Sequence, residues 1–482
     1  MTPAVSAILL AAMIANGWAC ALPADDPYYA RCRSDDECGP YRCEAALGRC
    51  VAAGEGEGEG EGEGEGEGEG EGEGEGEGEG DPTLTYLADD AAELDAGLHL
   101  ATLAAGGGLT MQTGDLVAAW ESPVLERGEA DLELRSVRLT LPAPFGVGLP
   151  AVGAPPESAP FPEDDLDLSE LSLLLPLDQP PAVPLTPGTL LSDQSPAMQT
   201  TTFLENTPVG NSLGEEGRLA GAVFFAREDW LEIANPAAGG AFVFDGAGIT
   251  FAAWMRLLTC DDSENNTVGI GGQYPHVWLG AVCPSAEAIF VVRDDDHANG
   301  ASPRGPAMDD GQWHHLAGVF HAAPAESAEL WFDGELVSSI ASSSGTFLRG
   351  FDEGLFLANF PIGLRTDRFD YETQAALDEV VVFRRPLLAS EVVGLYRRGA
   401  GRAFLQVRVC ADAASCASTP WRGPGGLETT RFAGAPPAAA SVELGGGPAL
   451  IGRAFQLRVI FDRLSLRVEP RVSAVGLVAA PP

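Results

Sequence analysis

In ELWFDGELVSS (Glu329 to Ser339), the pair Asp333-Gly334 separates two β-forming runs. A tight primed turn needs φ above zero at its central residues, and Asp-Gly between such runs is among the strongest short-range hairpin signals. Upstream, ITFAAWMRL (Ile249 to Leu257) puts Phe251, Ala253, Met255 and Leu257 on one side of a strand. Thr250, Ala252, Trp254 and Arg256 take the other, so both faces of this strand are expected to be covered. DGQWHHLAGVFH (Asp310 to His321) lies between the two and reads as the central strand. Strands separated by turns, with one convincing helix at Ser390 to Arg398, predict an all-β antiparallel sandwich.

The chain has 482 residues, room for two or three domains, and a net charge of −43. That charge argues against nucleic acid as a partner, because phosphate binding needs clustered cations. Part of it comes from thirteen Glu-Gly pairs between Glu55 and Gly80. Gly has no side chain to bury and each Glu repels the next, so residues 54–80 read as a disordered, expanded linker. A metal-buffering role for this tract is disfavoured, since alternating Gly gives the carboxylates no fixed geometry.

Ala4 to Ala19 is a short apolar run ending in small residues, too short to cross a membrane, and residues 1–19 read as an export signal. Nine cysteines leave one over. Setting Cys20 aside leaves eight, grouped locally as four, two and two. Cys32, Cys38, Cys43 and Cys50 stand in a stretch without His, at spacings wider than a zinc site uses, so residues 20–53 read as a disulfide knot. Cys260 with Cys283, and Cys410 with Cys416, are spaced for one bridge each.

Together with GRLAGAVFFAREDWLEI (Gly217 to Ile233) and ALDEVVVFRRPLLASEVVGLYRRG (Ala376 to Gly399), the segments quoted above resemble a laminin-G-like, concanavalin A-like jelly roll. LSLLLPLDQP (Leu171 to Pro180) looks like its first strand, and residues 165–400 are assigned to it. The resemblance implies a fold that hosts lectins, adhesive modules and enzymes. It also implies a structural calcium ion held by Asp229 and by Asp378 of LDEVVVF, and sugar contacts from aromatic or polar rings, here Trp230, Tyr274, His276 and Trp278. Cys20, with Gly17 and Ala19 before it, resembles the lipidated cysteine of exported bacterial lipoproteins; plain secretion is the alternative. Analogy with small cysteine modules implies that Cys32 pairs with Cys43 and Cys38 with Cys50.

LQVRV (Leu405 to Val409) and FQLRVIF (Phe455 to Phe461) alternate strictly and share a Q-x-R core. With SPVLERG near Ser122 they resemble a recurrent bacterial surface sandwich in which the two regions follow one another directly. The jelly roll is therefore expected to be inserted into an outer sandwich built from residues 82–149 and 402–482, with three consecutive domains as the alternative. A one-residue phase change near Arg135-Ser136 predicts a bulge.

Motifs for catalysis are absent: the sequence has no nucleophile elbow, no H-E-x-x-H and no phosphate loop with Lys. Adjacent strand residues point to opposite faces, so His314 and His315 are not expected to share an ion. Glu329, Asp333 and Glu335 are the acidic group nearest to a glycosidase arrangement, but their spacing suits a turn. The chain thus reads as a non-catalytic extracellular module binding carbohydrate or a surface protein, at the cell surface or secreted, with any membrane attachment through Cys20. A glycan hydrolase or an architectural spacer is the alternative.

Overall fold

The structure is a computed structural model that describes residues 42–44, 49–51, 83–151, 161–164, 166–205, 212–226, 229–234, 248–260, 267–272, 277–293, 300–322, 326–341, 355–359, 374–436, 442–443 and 448–482. Residues 1–81 and 82–482 form two separate compact units. In the first, the strands Arg42–Glu44 and Arg49–Val51 pair antiparallel with Cys43 opposite Cys50. Cys20, Cys32, Cys38 and the Glu-Gly tract lie outside the described residues.

The second unit is built from antiparallel sheets. One runs in the order Leu213–Glu216, Gly221–Phe225, Gln374–Phe383, Gly248–Thr259, Trp313–His321, Ser327–Phe332 and Glu335–Ala341. Leu171–Leu175 also pairs with Gln374–Phe383. The facing sheet includes Thr201–Glu205, Asp229–Ile233, Leu355–Asn359, Thr267–Gly272, Val277–Val282 and Glu287–Arg293. GRLAGAVFFAREDWLEI therefore supplies one strand to each sheet. Phe251, Ala253, Met255 and Leu257 enter the core between them, with Phe203, Phe225, Phe290 and Phe320.

The second face of Gly248–Thr259 is covered as the alternation required. Ala252 packs with Leu387, Val392 and Leu395 of the helix region. Trp254 joins a different core, shared with Trp120, Leu405 and Phe455. That core belongs to two more sheets. In one, Gly401–Cys410 pairs with Ala454–Arg463, which pairs in turn with Val117–Glu121. In the other, Ala474–Ala480 lies between Leu132–Thr140 and Leu84–Ala88. Strands from before and after the jelly roll thus share the same sheets, and in the second of them they alternate. The register of Leu132–Thr140 slips at Arg135, where Val478 faces Ser136 and Ala479 faces Leu134, which keeps Leu132, Leu134, Val137 and Leu139 all buried.

The helix runs Ala389–Ala400. Glu391 closes its first turn by accepting the Leu388 N–H at 2.8 Å and holds Arg385 at 2.6 Å. Both internal bridges, Cys260–Cys283 and Cys410–Cys416, are formed.

Candidate ligand-binding cleft

The expected metal pair is not brought together. Asp229 stands in the Asp229–Ile233 strand and accepts the Ser212 hydroxyl at 2.5 Å. Asp378 stands in the other sheet and accepts the main-chain N–H groups of Arg218 at 2.7 Å and Leu219 at 2.9 Å. Ser212 and Arg218 lie on opposite sides of the Leu213–Glu216 strand, whose four residues at about 3.3 Å each span roughly 13 Å. One ion shared by Asp229 and Asp378 does not fit this arrangement, and among the described residues no group of three or more His, Cys, Asp or Glu side chains could hold a metal.

The aromatic candidates are likewise separated. Trp278 is on the strand Val277–Val282. Trp230 is on Asp229–Ile233, three strands away in the same sheet, or roughly 14 Å at the usual strand spacing. Tyr274 and His276 lie outside the described residues.

The histidines are divided as strand geometry requires. His314 Nδ1 meets Asp333 Oδ2 at 2.8 Å, and its Nε2 lies 3.1 Å from Asp310. Burial pulls the His314 imidazole down, but the hydrogen bond and charge of Asp333, with Asp310, more than offset it and raise its pKa. His315 faces inward between Trp254 and Tyr396, and burial pushes it down to about 4. Asp333 is the turn residue expected, with φ 49°, and its Oδ1 accepts the His315 N–H at 2.9 Å. Glu329 accepts from the Trp331 indole at 3.0 Å. These carboxylates are engaged in holding the hairpin.

A different acidic group opens onto space. Beside the C-terminal end of the helix is a cleft of about 630 Å³. Val147, Leu149, Phe161, Leu166, Leu168 and Leu219 give it apolar walls, while Asp164, Asp178, Gln194, Glu379 and Arg398 supply polar groups. Three parts of the chain build it: the segment after Leu141, the jelly roll, and Ala433 to Pro436 of the flanking sheets. Arg398 ties them together. Only 3 % exposed, it donates to the carbonyl oxygens of Val147 at 3.1 Å and Gly148 at 2.9 Å and pairs with Asp164.

Glu379 reaches the cleft because its strand is irregular. Pairing with Gly248–Thr259 slips between Ala252–Val381 and Trp254–Asp378, and Glu379 takes a left-handed φ of 50°. Ala220, at the same cleft, and Leu177, between the lining residues Pro176 and Asp178, are left-handed too, with φ of 65° and 58°. Such conformations cost a side-chain-bearing residue about 1–3 kcal/mol and concentrate where the backbone is held for a purpose.

Burial pushes the Glu379 carboxyl up to about 8, and the nearby Asp178 charge adds to it, against the opposing effects of Arg398 and the Leu149 N–H. Asp178 is raised by burial, despite accepting the Gly221 N–H at 3.0 Å. Asp378, fully buried behind them, is also raised, by burial first and then by Glu379. At neutral pH, Glu379 therefore presents a protonated carboxyl, a hydrogen-bond donor set between apolar walls.

None of these cleft groups was anticipated from sequence apart from Asp378. The available signals were the acidic pair that opens the apolar run LDEVVVF, and Asp178 immediately after the LSLLL strand.

Residues 228–393 match the family model described as the concanavalin A-like lectin/glucanases superfamily. The jelly roll is concanavalin A-like. The superfamily spans lectins and glucanases, so the match does not choose between binding and hydrolysis. No curated protein matches the chain by sequence. Solved structures with similarity include the binding domain of Paraclostridial Mosquitocidal Protein 1, at 11% identity and TM-score 0.36, covering 51% of this chain and 60% of that one. Botulinum neurotoxin type C, whose cell entry depends on interaction with two ganglioside molecules, matches at 12% identity and TM-score 0.33, covering 48% of this chain and 52% of that one. The binding domain of botulinum neurotoxin DC in complex with rat synaptotagmin II matches at 12% identity and TM-score 0.34, with 48% and 52% covered. The chain thus spans between 52% and 60% of the length of these structures, and similarity of this order does not transfer a ligand.

Proposed function

We propose that this chain is an exported, non-catalytic recognition module that binds carbohydrate in the cleft at Glu379. The observation that carries the reading is a cleft with apolar walls and a few convergent polar groups, the pattern of a small-molecule site. Its size suits one or two sugar rings. Phe161, Leu166 and Leu219 suit the apolar face of a pyranose, while protonated Glu379, Gln194 and Asp178 suit its hydroxyls. The export signal would take the module out of the cell; with a lipid on Cys20 the Glu-Gly tether would hold it away from the envelope, and without one it would be secreted. Residues 82–149 and 402–482 would form one sandwich that hosts the jelly roll.

A glycan hydrolase is the second reading, because Asp178 and Glu379 line one cleft. Acid–base pairs in hydrolases have environments that push their two pKa values apart, leaving one carboxyl protonated and the other ionised. Here burial pushes both carboxyls up, and the Asp178 charge helps to hold Glu379 protonated, so the two readings are separated by the assay and not by these directions.

A glycan array with a reducing-end assay on Glu379→Gln and Glu379→Ala separates the readings. Gln keeps a donor and Ala does not. Binding should survive in Glu379→Gln and fall at least tenfold in Glu379→Ala, with no turnover by the wild type. Reducing ends released by the wild type and lost in Glu379→Gln would establish the hydrolase, whereas wild-type affinity in Glu379→Ala would remove the cleft as the site.

A further inference from the structure

The two Q-x-R motifs form a structure of their own on the flanking sheet. Leu405, Val407, Phe455, Leu457 and Val459 point into the sandwich core, so the Gln and Arg side chains occupy the opposite face. In the register of the two strands, Gln406 faces Arg458 and Arg408 faces Gln456. The pairs bond reciprocally. Arg458 donates to Gln406 Oε1 at 2.7 Å, and Arg408 donates to Gln456 Oε1 through Nε at 2.8 Å and Nη2 at 2.5 Å. Each Gln amide is anchored to main chain: Gln456 to the Ser122 carbonyl at 2.6 Å, Gln406 to that of Thr430 at 3.0 Å.

The half-buried indole of Trp421 then brings the two guanidinium groups to one place. Arg408 Cζ lies 4.3 Å from its ring centroid and Arg458 Cζ 4.7 Å. The exposed Arg431 approaches from the edge strand, its Cζ 5.6 Å from the Phe404 ring. The carboxylate facing them is Glu121, 3.8 Å from Arg408. Burial pushes Arg458 down to about 10, against Glu121, and the charges of Arg431 and Arg408 add to the effect. Residues 402–482 hold nine arginines against five acidic residues, in a chain whose net charge is −43. Arg408, Arg431 and Arg458, gathered on one face of the sheet with Arg408 and Arg458 fixed in orientation, are chemically suited to oxyanions.

We propose that Arg408, Arg431 and Arg458 around Trp421 form a second binding site, for the sulfate or carboxylate groups of an acidic polysaccharide. The site is independent of the Glu379 cleft. An entering oxyanion would accept from Arg431 and from the Nη1 group of Arg408, which does not bond Gln456, and relieve the mutual repulsion of the guanidinium groups, while Trp421 and Phe404 offer apolar surface beside it.

The test is retention of the full chain on immobilised heparin at low salt, with immobilised dextran as the uncharged control. A protein this acidic has little reason to bind a polyanion except through a local site. Wild type should be retained on heparin alone, and Arg431→Gln should bind soluble heparin about tenfold more weakly with an unchanged melting midpoint. Arg408→Gln should weaken binding further. Displacement by millimolar inorganic sulfate would identify the isolated oxyanion as the recognised group, and resistance to it would assign recognition to the polymer; either upholds the site. Flow-through of the wild type, equal retention on dextran, or undiminished heparin binding by Arg431→Gln would overturn it.

Discussion

Gly399, in the last turn of the Ala389–Ala400 helix, lies against the face of Trp254: a methyl group at 399 would stand 2.5 Å from the indole Cε2. The indole has no room to retreat, being packed on Tyr396 at 5.8 Å and His315 at 5.3 Å between ring centroids. Replacing Gly by Ala inside a helix ordinarily stabilises by about 1 kcal/mol. At Gly394, where a methyl would meet nothing within 4 Å, that gain is expected. At Gly399 the sign should reverse, with Gly399→Ala costing about 1–3 kcal/mol through overpacking. Denaturant unfolding of the two variants checks this; stabilisation by both would show that the helix does not seat on Trp254 as described.

Two buried groups should give stability opposite slopes with pH. His315 titrates near 4 in the fold and near 6.5 when unfolded, so the unfolded chain takes up the proton and stability falls as pH drops from about 6.5 towards 4. Glu379 is raised from an ordinary 4.5 to about 8, so the folded state holds the extra proton and that contribution is lost as pH rises towards 8. Each slope is at most about 1.4 kcal/mol per pH unit. Between about 4.5 and 6.5 they oppose one another, and on the alkaline side the contribution of Glu379 declines together with those of Asp378 and His314, whose pKa values are also raised. Melting midpoints from pH 4 to 9 should show that decline in the wild type and a flatter curve in Glu379→Gln, while His315→Phe should flatten the acid side. An alkaline decline unchanged in Glu379→Gln would place the responsible group elsewhere.

The bridge between Cys260 and Cys283 encloses a separation of 23 residues within the sandwich. By chain-entropy arithmetic its removal should cost about 3 kcal/mol. Cys410–Cys416, with a separation of 6, encloses a much shorter loop and should cost less on the same model. Chemical denaturation of the paired Cys→Ser variants compares them.

Residues 402–482 expressed alone should not fold. Ala454–Arg463 would lose the Val117–Glu121 strand, and Ala474–Ala480 would lose both Leu132–Thr140 and Leu84–Ala88. Circular dichroism and proteolysis should report an unordered fragment, and a cooperative melt would contradict the shared sheets.

The strands and their faces were legible because alternation is a local property. Phe251, Ala253, Met255 and Leu257 sort to one side by parity alone, and Asp333-Gly334 must turn because few other pairs tolerate positive φ at both places. The Arg135 irregularity was legible for the same reason, since a bulge shifts hydrophobic parity within a few residues. The cleft was not. It depends on Gly148, Asp178, Glu379 and Arg398 meeting across more than two hundred residues of sequence, and on a slip in pairing that turns Glu379 out of its apolar strand. The ligand candidates came from the resemblance, and the structure sets them apart: Asp229 and Asp378 occupy different sheets, and Trp230 and Trp278 sit on different strands of one sheet.

Hydrogen–deuterium exchange, with and without a saturating glycan selected from an array, tests recognition at the Glu379 cleft most directly. Protection is expected in Gly146 to Pro150, Leu219 to Ala220, around Glu379, and in Ala433 to Pro436, the segments that line the cleft. Protection confined to the strands carrying Trp230 and Trp278, with those cleft segments unchanged, would contradict it.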